Sequence, residues 1–152
     1  SLCDEEGGVF PQSCQSLARH LASGDGVAKD EARAASIHAA TCGQGVCDVD
    51  AVDALCSDVM RDAKTTAGCV ARARISMLFV AGAPAADFRK AKNLLERACN
   101  RKEGAGCAIL AEWYAEGREF PEGTKVPKDP KRAAALLEQA CKAGEKAACK
   151  TP

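Results

Sequence analysis

Cysteine is the residue type in this chain whose number and spacing most suggest chemistry. Ten occur in 152 residues: Cys3, Cys14, Cys42, Cys47, Cys56, Cys69, Cys99, Cys107, Cys141 and Cys149. A thiol can attack a substrate, ligate a metal or close a disulfide, and its surroundings decide which. Zinc spacing is not met, because C-x-x-C is absent and only His20 and His38 could add imidazole ligands. The haem-attachment pattern C-x-x-C-H is absent too. A cysteine nucleophile needs a histidine in hydrogen-bond reach, and both histidines read as structural or surface residues. An even cysteine count in so short a chain points instead to disulfides and an oxidising compartment. No catalytic residue, metal or cofactor is expected.

The elements that position these cysteines repeat. Leu94-Leu95-Glu96-Arg97-Ala98-Cys99 and Leu136-Leu137-Glu138-Gln139-Ala140-Cys141 are one helix end written twice, 42 residues apart. Each is followed eight residues later by a second cysteine, across a polar link carrying Gly104 or Gly144. Val27-Ala28-Lys29-Asp30 likewise matches Val126-Pro127-Lys128-Asp129, and each aspartate precedes a cysteine by twelve residues. Self-similarity at a fixed period signals a solenoid.

Helix periodicity and turn residues predict a helix over Pro11–Ser23, ended by Gly24-Asp25-Gly26, and a second from Asp30 to about Cys42. Asp30, Asp87 and Asp129 stand at helix starts, where a carboxylate accepts an otherwise unpaired backbone N–H. Pro130 suits a first helical position. Further helices are expected over Thr66–Val80, closed by Gly82, and over Gly106–Glu116, closed by Gly117. Asp48–Lys64 reads as an extra helix with Val49, Val52, Leu55 and Val59 on one stripe. Arg118–Lys128 reads as a surface loop inserted into the last repeat.

These readings give one domain over 1–152, with units at about 12–42, 66–102 and 105–144 and an irregular helical insertion at about 43–65. The formal net charge is zero, which gives no reason to expect nucleic acid as a partner. No run of eighteen apolar residues offers a transmembrane segment. Apolar content is rich in alanine and poor in aromatics, so helices pack closely around a thin core. A thin core gains little from burial, which gives staples a use.

Leu110-Ala111-Glu112-Trp113-Tyr114-x-x-Gly117, Val126-Pro127-Lys128-Asp129-x-x-x-Ala133 and Leu136-Leu137-x-x-Ala140-Cys141-x-x-Gly144 together resemble a Sel-one-like repeat, a relative of the tetratricopeptide repeat. Weaker copies run through Ile75-Ser76-Met77-Leu78-Phe79-x-x-Gly82 and Leu17-Ala18-Arg19-His20-Leu21-x-x-Gly24. The resemblance implies an all-α, right-handed superhelical solenoid of antiparallel helix pairs. In this repeat Trp113 and Tyr114 are core packing positions. Cysteines at both edges of the inter-repeat turn make the chain similar to the cysteine-rich branch typified by the Helicobacter cysteine-rich proteins. That branch is secreted or periplasmic and carries a disulfide across each turn. The implied bridges are Cys99–Cys107, Cys141–Cys149 and Cys3–Cys14. Neighbour pairing gives Cys42–Cys47 and Cys56–Cys69, but the connectivity of these four stays open.

The resemblance also implies function. First helices line the concave side of such a solenoid, which places Ser16, Arg19, Ser23, Arg74, Met77, Ile109, Glu112 and Glu116 on a binding face. The expected protein is a non-enzymatic, exported, monomeric scaffold that takes another protein or a peptide along that face. Cys3 falls where the end of a preceding helix belongs, so the chain reads as beginning inside a longer protein, with an anchor there as one expectation. The alternatives are a binder of small molecules or peptidoglycan fragments with at most weak hydrolase activity, and a redox or metal-handling protein. Some cysteine-rich relatives are associated with penicillin binding, yet none of the seven serines has lysine three residues on, as an S-x-x-K nucleophile requires.

Overall fold

The computed structural model describes residues 3, 10–56, 67–78, 83 and 85–150. The chain divides into two compact units, Ser1–Ala86 and Asp87–Pro152. The first holds α1 (Pro11–Ser23), α2 (Glu31–Gly43), α3 (Val49–Leu55) and α4 (Cys69–Ser76). The second holds α5 (Phe88–Asn100), α6 (Gly104–Glu116), a two-strand ladder of β1 (Arg118–Glu119) and β2 (Lys125–Val126), α7 (Pro130–Lys142), and a final 3-10 turn (Lys146–Lys150).

Four aspartates start four of these helices by one mechanism. Asp30, Asp48, Asp87 and Asp129 each accept the backbone N–H three residues on, at 2.9 to 3.2 Å. Each such cap contributes about 1 kcal/mol. The pairs are then tied by a backbone bond from the capping residue to the preceding helix. Asp30 N–H donates to Leu21 O and Asp129 N–H donates to Tyr114 O, both at 2.8 Å. At the end of α1, Gly24 takes φ +79°, a left-handed turn that glycine enters without steric cost.

All ten cysteines are paired, in sequence order: Cys3–Cys14, Cys42–Cys47, Cys56–Cys69, Cys99–Cys107 and Cys141–Cys149. The bridges sit at helix joints. Cys56–Cys69 ties the end of α3 to the first residue of α4, and Cys99–Cys107 ties α5 to α6. The four cysteines left open by sequence therefore pair with their nearest neighbours.

Several boundaries differ from expectation. Residues 67 and 68 form a turn, and α4 runs only from Cys69 to Ser76, so Met77 caps the helix instead of lying within it. Val59, Val80 and Gly82 lie outside the described residues. Asp48 is the cap of α3, not its first turn, and α3 stops at Leu55. Gly104 opens α6 and is not part of the link. A Cβ there would stand 3.0 Å from the Ala140 carbonyl oxygen, so glycine lets α6 begin against the end of α7.

The inserted Arg118–Lys128 loop folds as a hairpin with an anchor. Arg118 pairs with Val126 and Glu119 with Lys125. Phe120 is buried, stacked on Phe88 at 4.2 Å and tilted against Trp113 at 4.8 Å. Trp113 and Tyr114 are core residues, as the repeat pattern implied. An aromatic cluster thus fastens a segment whose composition reads as an ordinary loop.

Among the described glycines, Gly68 meets the tightest contact. An added Cβ would lie 2.6 Å from Leu55 Cβ and 2.8 Å from the Val52 carbonyl oxygen. Gly68→Ala is expected to cost about 2 kcal/mol by overpacking the α3–α4 joint. Gly43→Ala meets nothing within 4 Å and serves as its control. Equal melting temperatures for the two variants would contradict the close approach.

Candidate interaction surface

The residues expected on the binding face fall into a stripe on α1, a stripe on α6, and Arg74 and Met77 at the end of α4. On α1, Ser16, Arg19 and Ser23 are all exposed. Arg19 is already engaged, because its Nε and Nη2 donate to Asp48 Oδ2 at 3.0 and 2.8 Å. The guanidinium side chain keeps 64% of its surface in solvent, so this pair contributes little to stability. Ser23 belongs to the helix end, where Oγ donates to the His20 carbonyl at 3.3 Å and accepts from Asp25 N–H at 3.2 Å. Arg74 on α4 is exposed, and Met77, the residue that caps it, is half-buried.

On α6, Glu112 and Glu116 are exposed and Ile109 is half-buried. Glu116 accepts from Arg118 Nη2 at 3.1 Å. Ser16, Arg74 and Glu112 stay the least committed polar side chains of the set, with no side-chain bond or ion pair among the described residues. His20 is a surface residue whose Nδ1 lies 3.1 Å from the Asp25 carbonyl oxygen.

His38 is the opposite case, with no exposed surface. It anchors a buried polar cluster that sequence reasoning did not find. Gln15 donates from Nε2 to both Thr41 Oγ1 and the Val46 carbonyl oxygen. Its Oε1 is therefore left to accept from His38 Nδ1. Thr41 Oγ1 in turn donates to the His38 carbonyl at 3.1 Å. Both amide protons of Gln15 are used, so the amide orientation and the His38 tautomer follow from the network. His38 Nε2 then carries a lone pair with no partner among the described residues. The signal in the sequence is polar residues on buried stripes, since Gln15 lies between Cys14 and Ala18 and His38 follows Ile37.

Burial holds the His38 pKa below its ordinary 6.5, with the Asp48 charge opposing and the Arg19 charge assisting. Burial raises the Asp48 pKa, but the Arg19 and Ala51 hydrogen bonds outweigh it and leave the carboxyl below 3.8. For His38 the folded state refuses a proton that the unfolded chain accepts. Its contribution is complete above about pH 6.5 and is lost as pH falls toward the folded pKa. Asp48 acts only in a lower window, below about pH 3.8. Melting temperature is thus expected to fall on acidification from pH 7 to pH 5. His38→Gln is expected to flatten that slope, and an unchanged slope would refute the assignment.

Among the described residues no group of three histidine, cysteine or acidic side chains is placed to hold a metal. None of the described helices is long and apolar enough to cross a membrane.

The Sel1 repeat, as a family, matches the chain at residues 11–36, 70–102 and 104–145, together more than half of its length. The first match covers α1 and the first turns of α2, the second α4 and α5, and the third α6, the hairpin and α7. No curated protein matches the chain. The repeats identify the architecture as all-α and tetratricopeptide-like, a solenoid of helix pairs, here with five disulfides. Three copies of the signature, each lying on these aspartate-capped, cysteine-stapled helices, make the chain a member of the Sel1 repeat family.

Proposed function

We propose that this protein is a non-enzymatic interaction scaffold that works as a monomer outside the reducing cytosol. It binds another protein or a peptide along the exposed face of its first helices. The observation that carries the reading is the complete pairing of ten cysteines at helix joints. Such bridges persist only in oxidising compartments, which favours a secreted or periplasmic site. They also hold the helix surfaces in place before a partner arrives. A pre-organised surface loses less conformational entropy on binding and gains affinity without added contacts. Repeat scaffolds use their first-helix faces in this way, and the exposed side chains of Ser16, Arg19, Arg74, Glu112 and Glu116 supply polar variety there, with Ile109 and Met77 as apolar neighbours.

The test is a displayed random-peptide library selected on the oxidised protein. Selected peptides are expected to lose about tenfold in affinity, a change of about 1.4 kcal/mol, when Arg19→Glu or Glu112→Lys alters the stripe. Peptides indifferent to both variants would remove the face from the proposal. Turnover of a chromogenic β-lactam by the same preparation would replace a scaffold with an enzyme.

A further inference from the structure

The zero net charge conceals a sorting of charge within the C-terminal unit. Helices α5 and α7 carry seven lysine and arginine residues against Glu96 and Glu138. Helix α6, between them in sequence, carries Glu112 and Glu116 and no basic residue. The two glutamates of the basic pair are already neutralised. Lys92 Nζ donates to Glu96 at 3.0 Å and Lys142 Nζ reaches Glu138 at 2.9 Å. Glu96 is also the first cause that holds the Lys92 pKa above its ordinary value. Among the described residues Arg89, Lys90, Lys131 and Arg132 have no carboxylate within ion-pair distance.

A cleft of about 410 Å³ opens between these helices. Its floor is apolar and buried, formed by Cys99, Leu110 and Leu136. Its walls are polar, with Glu96 and Asn100 from α5 and Arg132 and Gln139 from α7. The Arg132 guanidinium carbon lies 4.6 Å from the centroid of the Tyr114 ring. That contact orients the planar fork while leaving its N–H donors unspent on any carboxylate. Asn100 and Gln139 each offer a donor and an acceptor, the complement of a peptide group.

We propose that this cleft docks an extended acidic segment of a partner protein. A partner carboxylate takes the Arg132 fork, and the neighbouring peptide groups bond to Asn100 and Gln139. A short apolar side chain covers the Leu110–Leu136 floor. Glu96 in the wall argues for peptide over a phosphate backbone, since a continuous row of phosphates would meet its carboxylate, whereas a peptide brings N–H groups to it. The excess of cations on α5 and α7 steers an acidic partner toward these two helices. This surface is separate from the first-helix stripe, so it extends the scaffold reading and can fail without it.

The experiment is fluorescence anisotropy on the oxidised full chain with a labelled, capped octapeptide of alternating glutamate and alanine. The matched glutamine–alanine peptide and an oligodeoxythymidylate of similar length are the comparison probes. Saturable binding of the acidic peptide is expected, weakened about tenfold by Arg132→Glu. Lys131→Glu, a neighbouring exposed charge outside the cleft wall, is expected to weaken it far less. Arg132→Lys, which keeps the charge but loses the fork, is expected to fall between wild type and Arg132→Glu. Glu112→Lys on α6, which alters none of the cleft residues, is expected to leave this peptide's affinity unchanged or slightly raised, because a repelling charge is exchanged for an attracting one. Absence of saturable binding would overturn the proposal. So would equal losses for Arg132→Glu and Lys131→Glu, or preference for the oligonucleotide, each of which reads as general attraction to polyanions.

Discussion

Full reduction of the folded protein is expected to abolish its cooperative thermal transition at neutral pH. The five bridges close loops with sequence separations of 11, 5, 13, 8 and 8 residues. In the loop-closure model each restricts the unfolded chain by about 2–3 kcal/mol, roughly 12 kcal/mol for the set. The total stability of an ordinary domain is about 5–15 kcal/mol. The core offers little compensation, because many of its buried residues are alanines, such as Ala18, Ala34, Ala91, Ala98 and Ala140. Circular dichroism melts with and without a phosphine reductant measure the effect. A reduced chain that melts within a few degrees of the oxidised one would show that helix packing alone suffices. The single joint Cys99–Cys107, replaced by two serines, is expected to cost about 2.5 kcal/mol and to leave the other four bridges intact by peptide mapping.

The Gln15→Leu variant is expected to lose about 3 kcal/mol of unfolding free energy. Leucine is close in size, so the cavity term is small and the polar loss dominates. The substitution leaves His38 Nδ1–H and the Val46 carbonyl without their partner and removes the donor to Thr41 Oγ1. A buried group left unpaired costs about 1–3 kcal/mol, and here the fully buried His38 and the half-buried Val46 carbonyl both lose their partner. Val46 lies inside the loop closed by Cys42–Cys47, so the change also frees that loop from α1. Urea unfolding gives the number, and Gln12→Leu on the exposed side of the same helix is the control, expected within about 0.5 kcal/mol of wild type. Equal effects for the two glutamines would mean that the buried cluster contributes nothing.

The two predictions separate what local sequence specifies from what packing adds. The helices and their caps were legible because each depends on a few adjacent residues. Pro11, an apolar stripe and a closing Gly24 place α1, and an aspartate followed by an apolar stripe places α2, α5 and α7. Repetition added the pairing pattern, since Cys99 and Cys107 recur as Cys141 and Cys149 at the same spacing. The region from Gly43 to Gly68 departed from the pattern. Among its described residues, Gly68 approaches Leu55 so closely that a Cβ there would lie 2.6 Å from Leu55 Cβ, and neither residue announces this in the sequence. The Arg118–Lys128 hairpin was unread for a related reason. Its strands are two residues long, and its stability comes from Phe120 reaching Phe88, 32 positions away.

The sequence by itself determined the family, the helix-pair architecture, the aspartate caps and the oxidising environment, because these rest on spacing and composition. Tertiary structure alone decided the pairing of Cys42, Cys47, Cys56 and Cys69, the tautomer of His38, and the gathering of Glu96, Asn100, Arg132 and Gln139 around one cleft. Each of these depends on the position of a side chain relative to groups brought from elsewhere in the chain. Periodicity fixes which face of a helix is buried, but the partner that meets a given side chain on that face is set by packing.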